Sequence, residues 1–404
     1  MHSERRNVLV LAICQALLLV NNSTVLAVNA LAGRHLAELR GLGDAFATVP
    51  VTAWIIGTAL ATVPAAQLMR RYGRRFGFTT GALLGIIGAF MASAAMYLQS
   101  FVLLSVGTLV FGTYNGFAQQ YRFAAADAAP SDRRAQAISY VLAGGLLGGL
   151  IGPQLSTVTV GLFKTEYLGA YLVLVVFLVA ATMLLQLLRI PRPHAIQSRE
   201  PVRPLGQIAR QPAFIVAVLG GVLGYAVMNL LMVATPLEMT GAAGHAYQAA
   251  AGVISAHVVA MFGPSFFTGT LIRRFGVLNI MLTGGLLQSA TVLIALSGMS
   301  VAHFAFALVL LGVGWNFLYI GATTLLTGCY RPSEGAKVQG MNELLIASMM
   351  VVTSFSSGFL LANAGWNLLN YASAVLVAIV AIAILWLMLR QRARPAEIRE
   401  LAGR

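Results

Sequence analysis

Long apolar runs dominate the pattern of hydrophobic and polar positions along this chain. Twelve such runs are separated by short polar or arginine-rich segments. A helix of roughly 20 apolar residues crosses the hydrocarbon core of a bilayer, where helices satisfy their own backbone hydrogen bonds. The pattern therefore predicts an all-α membrane protein with twelve transmembrane helices. The predicted spans are residues 8–30, 45–68, 78–98, 101–121, 137–161, 168–188, 213–239, 249–272, 277–296, 301–326, 338–361 and 368–389.

Composition supports this class and excludes several others. Hydrophobic residues make up 58% and charged residues 9% of the 404 positions, against roughly 45–50% and 25% in soluble domains. The first run follows Arg5 and Arg6 but lacks a small-residue cleavage site, so we interpret it as a retained helix. The chain contains no CxxC pair, P-loop, GxSxG or HExxH motif, so neither a disulfide framework nor an enzyme is expected.

The distribution of basic residues predicts the orientation. With the N-terminus in the cytoplasm, all but three of the 26 Lys and Arg residues fall on that side, the exceptions being Arg34, Arg40 and Lys164. Basic loops face the cytoplasm in inner-membrane proteins, so both termini are expected there. Contacts with anionic lipid explain the net charge of +14 without a nucleic-acid partner. We expect a monomer.

Two matches at nearly one spacing indicate an internal duplication. RRYGRR after the second span and RRFG after the eighth place Gly73 and Gly276 203 residues apart, while PSD at 130–132 and PSE at 332–334 are 202 residues apart. The sequence therefore predicts two six-helix pseudo-repeats. The predicted parts are a first half at 1–188, a cytoplasmic Pro- and Arg-rich linker at 189–212, a second half at 213–389 and a cytoplasmic tail at 390–404.

With twelve spans, a central loop and these two turns, the chain resembles the major facilitator superfamily over essentially its whole length. The superfamily's loop motif is GxLaDrxGrk. Ala66 and Arg70 replace its Gly and Asp in the first copy, and Arg273 replaces the Asp in the second. The resemblance implies transport by alternating access, and the loop arginines are expected to anchor the turn to lipid or to carboxylates. The implied gating residues are Arg71, Gly73, Arg74, Arg75, Arg274 and Gly276.

Polar residues within the spans are the candidates for cargo binding, because such groups are costly in a bilayer. The resemblance implies that the first, fourth, seventh and tenth spans line the cavity. An interhelical hydrogen bond worth about 1 kcal/mol or less is the alternative for any single Asn. Asp127, Glu238 and Glu343 are candidate proton carriers or structural partners of Arg122 and Arg331. The cavity candidates are Asn21, Asn22, Trp54, Tyr114, Asn115, Gln119, Arg122, Asn229, Trp315, Asn316 and Tyr319.

Two further motifs join sulfur and imidazole groups. MNLLM carries Met228 and Met232, and HVVAM carries His257 and Met261. Each pair lies on one helix face, and antiparallel neighbouring helices would bring all four to one depth. Thioethers with one imidazole favour Cu(I), whereas Met also commonly fills apolar interiors.

The stretch from MNLLMVATPLEM to HVVAMFGPSFFTGTLIRRFG is similar to the CcoA-like group of bacterial copper importers. This resemblance implies that the four residues bind copper as cargo, with no resident cofactor. Cys14 and Cys329 are candidate inner-side ligands, or small apolar fillers.

The same group also includes riboflavin importers. An aromatic, amide-rich cavity suits a flavin ring, which a Cu(I) ion does not need. GGLLGGLIGPQL in the fifth span is similar to the glycine and proline motif of proton-coupled drug or metabolite antiporters, although small residues also permit close packing. We predict copper import first, riboflavin or another planar solute second and antiport third. A membrane sensor is disfavoured because no soluble signalling domain is present.

Overall fold

A computed structural model describes residues 2–41, 46, 49–190 and 203–402, and these residues are overwhelmingly helical. The helices are α1 His2–Leu39, α2 Val49–Tyr72, α3 Arg74–Tyr97, α4 Phe101–Ala118, α5 Tyr121–Ala128, α6 Arg134–Ala143, α7 Gly145–Thr159, α8 Leu168–Leu185, α9 Leu205–Ala209, α10 Pro212–Thr240, α11 Tyr247–Phe262, α12 Ser265–Phe275, α13 Val277–Ser297, α14 Val301–Thr327 and α15 Gly335–Ala402.

The predicted all-α membrane architecture is confirmed. Among the described residues, eleven helical segments are long and apolar enough to cross a membrane, and the bent pair α11 and α12 brings the number to twelve. Helix α15 contains both the eleventh and twelfth spans, and Gly365 near the start of the twelfth has a non-helical conformation. The α4–α5 segment from Phe101 to Ala128 counts as one span.

The faces of α3 show how these helices pack. Small residues such as Ala82 and Ala89 are buried, whereas Leu83, Ile87 and Phe90 are about half exposed. Small residues at a helix interface let backbones approach closely, and large apolar residues pointing outward suit a lipid surface. The sequence of α3 therefore encodes a span with its large side chains facing the hydrocarbon.

The chain forms two compact units. Unit 1 comprises Met1–Val202 with Pro332–Ala347, and unit 2 comprises Arg203–Arg331 with Ser348–Arg404. The beginning of α15 therefore packs with the first half of the chain. The boundaries at 188 and 213 stay predictions from the sequence, which did not anticipate this exchange.

The predicted duplication has a direct counterpart in the backbone. PSD and PSE each lie at a short 3-10 helix, Ser131–Arg133 in unit 1 and Pro332–Glu334 in the second copy. Gly73 has φ 92° and ψ 162°, and Gly276 has φ 87° and ψ 150°. Both are left-handed conformations that favour glycine. The same turn therefore follows the second and the eighth span.

Three segments differ from the sequence-based expectation. The eighth span bends by 42° between Phe262 and Ser265, where Pro264 lacks the N–H that would continue the helix. Within the predicted linker, residues 191–202 lie outside the described residues, and α9 occupies Leu205–Ala209. The predicted tail is helical up to Ala402, and residues 403–404 are outside the described part.

Candidate functional site

A chain of hydrogen-bonded polar side chains joins three spans of unit 1. Asn22 Nδ2 on α1 donates to Asn115 Oδ1 on α4 at 3.0 Å. Asn115 Nδ2 in turn donates to Thr58 Oγ1 on α2 at 3.3 Å. Thr58 Oγ1 also lies 3.0 Å from the Gly112 carbonyl oxygen. Two of the predicted cavity residues, Asn22 and Asn115, therefore belong to one amide cluster.

Several buried polar atoms on α1 and α2, close in sequence to Asn22 and Thr58, have no hydrogen-bond partner among the described residues. They are Nδ2 and Oδ1 of Asn21, Oδ1 of Asn22 and Nε1 of Trp54. A buried group without a partner costs about 1–3 kcal/mol relative to one that is hydrogen-bonded. A polar cargo or water can supply the missing partners, so these atoms are the strongest candidates in unit 1 for contact with cargo.

Tyr114 and Gln119 lie elsewhere on α4 and at its end. Tyr114 is fully buried, with its ring edge-on to Phe111 at a centroid distance of 6.2 Å. Gln119 is half-buried at the C-cap of α4. Neither side chain bonds to the Asn22–Asn115–Thr58 chain in the described structure, so the predicted fourth-span set divides into separate environments.

Arg122, a predicted cavity residue, forms a buried ion pair instead. Its guanidinium Nη2 donates to Glu343 Oε1, and the two side chains are 2% and 3% exposed. Asn342 Nδ2 also donates to Glu343 Oε1, at 3.0 Å. Breaking a buried pair by removing one partner is strongly destabilising. The structural pairing that the sequence offered as one alternative for Glu343 is therefore present.

A second ionic network surrounds the first loop. Arg74 Nη2 lies 2.7 Å from Asp127 Oδ2 and 2.8 Å from Gln339 Oε1. Arg74 Nη1 donates to Gln120 Oε1 at 3.3 Å. Asp127 therefore pairs with Arg74, a partner not considered from the sequence. Of the predicted loop arginines, Arg74 is the buried anchor.

The other predicted loop arginines are exposed. Arg71 lies 5.2 Å from the ring centroid of Tyr72, and Arg274 lies 5.3 Å from that of Phe275. Arg75 is also exposed. Exposed cation–π contacts contribute about 0.5–1 kcal/mol, so these residues are suited to lipid or phosphate contact and stay candidates for gating.

Unit 2 contains an aromatic cluster on α10, α11 and α14. The rings of Trp315 and Tyr319 stack at 4.7 Å and 18°. Tyr225 is edge-on to both, at 5.5 Å and 5.6 Å, and Phe262 is edge-on to Trp315 at 5.8 Å. Trp315 Nε1 is buried with no hydrogen-bond partner in the described structure. A polar planar ring that stacks on this cluster can accept a hydrogen bond from Trp315 Nε1.

The two other polar candidates of unit 2 act as ties between helices. Asn316 Nδ2 donates to the Met261 carbonyl oxygen and to Ser265 Oγ, both at 2.6 Å, and its Oδ1 accepts from Thr268 at 2.7 Å. These bonds hold both sides of the bend in the eighth span. Asn229 Nδ2 lies 2.9 Å from Thr353 Oγ1 on α15. Both asparagines therefore form interhelical hydrogen bonds, which the sequence offered as the alternative to cargo binding.

His257 and Met261 lie where α11 packs against α14. His257 is fully buried, and its Nδ1 donates to the Leu308 carbonyl oxygen at 2.7 Å. Its Nε2 is buried without a partner in the described structure. A Cβ atom at Gly312 would lie 2.9 Å from the Met261 backbone nitrogen, so α11 packs closely there.

Met228 is buried and follows Tyr225 by one turn on α10. Since Tyr225 contacts Trp315, helix geometry brings Met228 toward the level of Gly312 to Trp315 on the antiparallel α14. Met261 is buried and Met232 half-buried. No three His, Cys, Asp or Glu side chains cluster as metal ligands in the described residues. A shared thioether site stays a prediction.

The two cysteines occupy apolar or capped positions. Cys14 is fully buried in the core of unit 1. Cys329 Sγ lies 3.3 Å from the Leu325 carbonyl oxygen, and the Cys329 carbonyl oxygen accepts from Gln211 at 3.0 Å. Burial raises the pKa of the Cys329 thiol to about 11, so it is protonated near neutral pH. Copper binding there would require displacement of this proton.

Sequence analysis missed Tyr225, Phe262 and Thr58 as parts of these clusters. Tyr225 had a usable signal, because it precedes Met228 by three residues and therefore shares its helix face. The Gly263–Pro264 pair likewise signals a break in the eighth span. Thr58 had no such signal, since its role depends on the packing of α2 against α4.

Comparison with known proteins supplies the family and one functional lead. A model described as the Major Facilitator Superfamily matches residues 11–276 and 217–403. The chain is 40% identical over 400 residues to the riboflavin transporter RfnT of Brucella anthropi, with 98% of each protein covered. It is 30% identical over 360 residues to the MFS-type transporter YddS of Bacillus subtilis, covering 84% of this chain and 82% of that protein.

The fold is also similar to solved structures. The transporter FucP in its outward conformation matches with a TM-score of 0.77 and 18% identity, covering 94% of this chain and 98% of FucP. At this identity the similarity concerns the fold alone.

Proposed function

This chain belongs to the major facilitator superfamily, and we propose that it imports riboflavin, or a neutral solute with a similar planar polar ring, by alternating access. The observation that carries the proposal is the 40% identity to a riboflavin transporter over 98% of both proteins. Copper was favoured from the sequence. The order of the two cargoes is reversed, because a relative that matches 98% of this chain is a riboflavin transporter.

The aromatic cluster of unit 2 supports this cargo class. A flavin ring is flat, aromatic and rich in hydrogen-bond acceptors. Trp315 offers a buried ring and an N–H that has no partner among the described residues. Aromatic stacking of a nucleic-acid base on such side chains is worth about 1–3 kcal/mol. We propose that the Trp315–Tyr319 pair binds the ring system.

The amide cluster of unit 1 supports hydrogen bonding by the same class. Asn21, Asn22 and Trp54 carry buried polar atoms with no hydrogen-bond partner in the part of the chain that the structure describes. An uncharged cargo with several carbonyl, N–H and hydroxyl groups satisfies such atoms at a lower desolvation cost than an ion. We propose that these residues bind polar edges of the cargo during the transport cycle.

Uptake of radiolabelled riboflavin tests the proposal, in cells that lack their own riboflavin uptake and carry or lack this protein. We expect saturable uptake with the protein, and Trp315→Leu should raise the KM about tenfold from the loss of stacking. Trp386→Leu is the matched control, since Trp386 is 44% exposed and Trp315 is buried. Uptake equal in cells with and without the protein would overturn the proposal.

Copper is a second candidate cargo because His257 Nε2 is buried without a partner in the described structure. We propose Met228, Met232, Met261 and His257 as the ligand set for this alternative. Met228→Leu conserves volume, so packing alone predicts a stability cost below about 1.5 kcal/mol and normal transport. Loss of radioactive copper uptake in this variant, with riboflavin uptake unchanged, would support copper. Normal copper uptake by the variant would exclude this ligand set.

We further propose that the protein lies in the cytoplasmic membrane with both termini inside. The arginine distribution and an even number of spans support this orientation. A reporter fused after Arg404 should be active in the cytoplasm, and one inserted at Gly244 should be active outside. Activity of the Arg404 fusion on the outer side would overturn the orientation.

A further inference from the structure

Unit 1 contains a basic cavity beside the first loop, and Arg74 of the ionic network described above forms part of its wall. It has a volume of about 550 Å³ and lies between the α2–α3 turn and the end of α8. None of its lining residues is acidic. They are Tyr72, Gly73, Arg74, Arg75, Phe76, Thr79, Gln186, Leu188, Arg189 and Ile190.

The cavity offers three kinds of anion-binding group. Arg75 and Arg189 are exposed arginines on its lining, and guanidinium groups bind phosphate oxygens in a bidentate manner. Helix α3 begins at the cavity, and its N-cap Gly73 provides no side-chain cap. The first backbone N–H groups of a helix attract phosphate. An anion in the cavity would therefore meet charge from both the side chains and the backbone.

The walls of this cavity are fixed by specific bonds. Gln186 Nε2 donates to Thr79 Oγ1 at 3.1 Å, which ties α8 to α3. Asn7 bonds to both the backbone N–H and the carbonyl oxygen of Arg189, at 3.0 Å and 3.2 Å. Arg74 is held by Asp127 at 2.7 Å. Arg74 therefore stabilises the wall, and Arg75 and Arg189 are the arginines available to a ligand.

The surroundings place the cavity at a membrane interface. It follows directly on the ends of the second and sixth spans and the start of the third. Tyr72 and Phe76 on its rim are 42% and 50% exposed, with ring centroids 5.1 Å apart. Exposed aromatic rings at span ends are typical of the headgroup region. The arginine bias predicts that this end faces the cytoplasm, where anionic lipids are available.

We propose that this cavity binds the phosphate headgroup of an anionic phospholipid from the cytoplasmic leaflet. The headgroup phosphate lies against Arg75, Arg189 and the start of α3, while the acyl chains leave past Tyr72 and Phe76 into the bilayer. The site is separate from cargo binding, so it holds for any cargo. Lipid binding there stabilises the α2–α3 turn in its anchored position.

Native mass spectrometry of the purified full-length protein tests this site. The probes are phosphatidylglycerol, phosphatidylcholine and inorganic phosphate, each titrated separately. We expect phosphatidylglycerol to bind about tenfold more tightly than phosphatidylcholine, from the two arginines. Arg189→Gln and Arg75→Gln should each reduce this preference several-fold, and the double variant should abolish it. Arg210→Gln is the matched control, because Arg210 is an exposed arginine at the end of α9 and does not line the cavity.

Equal affinity for the two lipids would overturn the proposal, as would an unchanged preference in the double variant. If Arg210→Gln loses the preference to the same extent, general surface charge explains the binding, and the proposal is overturned. If inorganic phosphate binds as tightly as phosphatidylglycerol, the ligand of the cavity is a soluble anion, and the lipid proposal is overturned. Thermal unfolding of each variant without added lipid serves as the folding control. Arg189→Gln alone suffices if the Arg75 variant is poorly folded.

Discussion

Gly73 in unit 1 and Gly276 in unit 2 have nearly the same backbone angles, yet an arginine follows the first and a valine follows the second. Arg74 bonds to Asp127, Gln120 and Gln339. At the 203-residue spacing of the repeat, Arg74 corresponds to Val277. Both copies keep the backbone turn, because the short connection between the spans requires it. The arginine that anchors the turn by ionic contacts is present in the first copy and is replaced by valine in the second.

The buried ion pair shows the same asymmetry. Arg122 corresponds to Leu325 at this spacing, and Asp127 corresponds to Tyr330. The polar chemistry of unit 2 is of another kind, with stacked rings around Trp315 and amide ties at Asn316. Unit 1 therefore concentrates ionic contacts, and unit 2 concentrates aromatic and thioether groups.

Helix packing, by contrast, is repeated. A Cβ atom at Gly112 would lie 2.1 Å from the Trp54 carbonyl oxygen, and one at Gly312 would lie 2.8 Å from that of His257. His257 follows Trp54 by the same 203 residues. Both glycines permit a close helix crossing, so the backbone contact is common to the halves, whereas the side chain at the crossing is an indole in one and an imidazole in the other.

Removing one partner of the buried ion pair should have the largest effect. Glu343→Gln leaves Arg122 charged in a site where both side chains are at most 3% exposed. Loss of one partner in such a pair costs about 3–5 kcal/mol. We expect a matching fall in the free energy of unfolding in detergent. Leu325→Met, a volume-conserving change at the position of unit 2 that corresponds to Arg122, should cost less than about 1.5 kcal/mol.

A double replacement separates charge from packing at this pair. Arg122→Met with Glu343→Met removes both charges and keeps apolar volume, and such replacements are often neutral or stabilising. The double variant should therefore be more stable than Glu343→Gln alone. If it is as unstable as the single variant, packing around these side chains rather than the ion pair distinguishes unit 1.

Sequence patterns predicted the parts of this molecule that depend on local or repeated signals. The apolar runs predicted the spans, and RRYGRR and RRFG predicted the two turns. The partner of Arg122 was not predictable from such signals, because Glu343 is 221 residues away and Asp127 and Glu238 were also candidate partners. Asn316 was a predicted cavity residue because it lies in the tenth span. Its hydrogen bonds go to the two sides of the bend at Pro264, which the sequence pattern of the tenth span does not indicate. Long-range packing decides these contacts, and one sequence does not encode them visibly.

The two loop glycines should respond alike to substitution. Gly73→Ala and Gly276→Ala each force a Cβ into a backbone conformation with φ near 90°, which costs about 1–3 kcal/mol for a residue other than glycine. We expect similar losses in the free energy of unfolding for the two variants. Gly206→Ala is the control, since Gly206 has no positive φ and open space around it. A much larger loss at Gly73 would show that the anchored arginine network, and not the backbone, determines the cost.

The exposed loop arginines give the smallest effect on stability and the sharpest test of the asymmetry. Arg71 lies over Tyr72 and Arg274 over Phe275 at nearly equal distances, so this contact is duplicated although the anchor is not. Arg71→Gln and Arg274→Gln should each change stability by about 0.5 kcal/mol or less, as exposed substitutions usually do. We expect the transport rate to fall two- to fivefold in both, with cargo affinity unchanged, because a cation–π contact of about 0.5–1 kcal/mol is lost at a moving turn.

Rates from exchange across reconstituted vesicles and affinities from equilibrium binding separate the two quantities. If only Arg71→Gln slows transport, the anchored turn of unit 1 controls the cycle, and the ring contact present in both units does not. If both variants lose cargo affinity but keep a normal transport rate, neither arginine has a gating role.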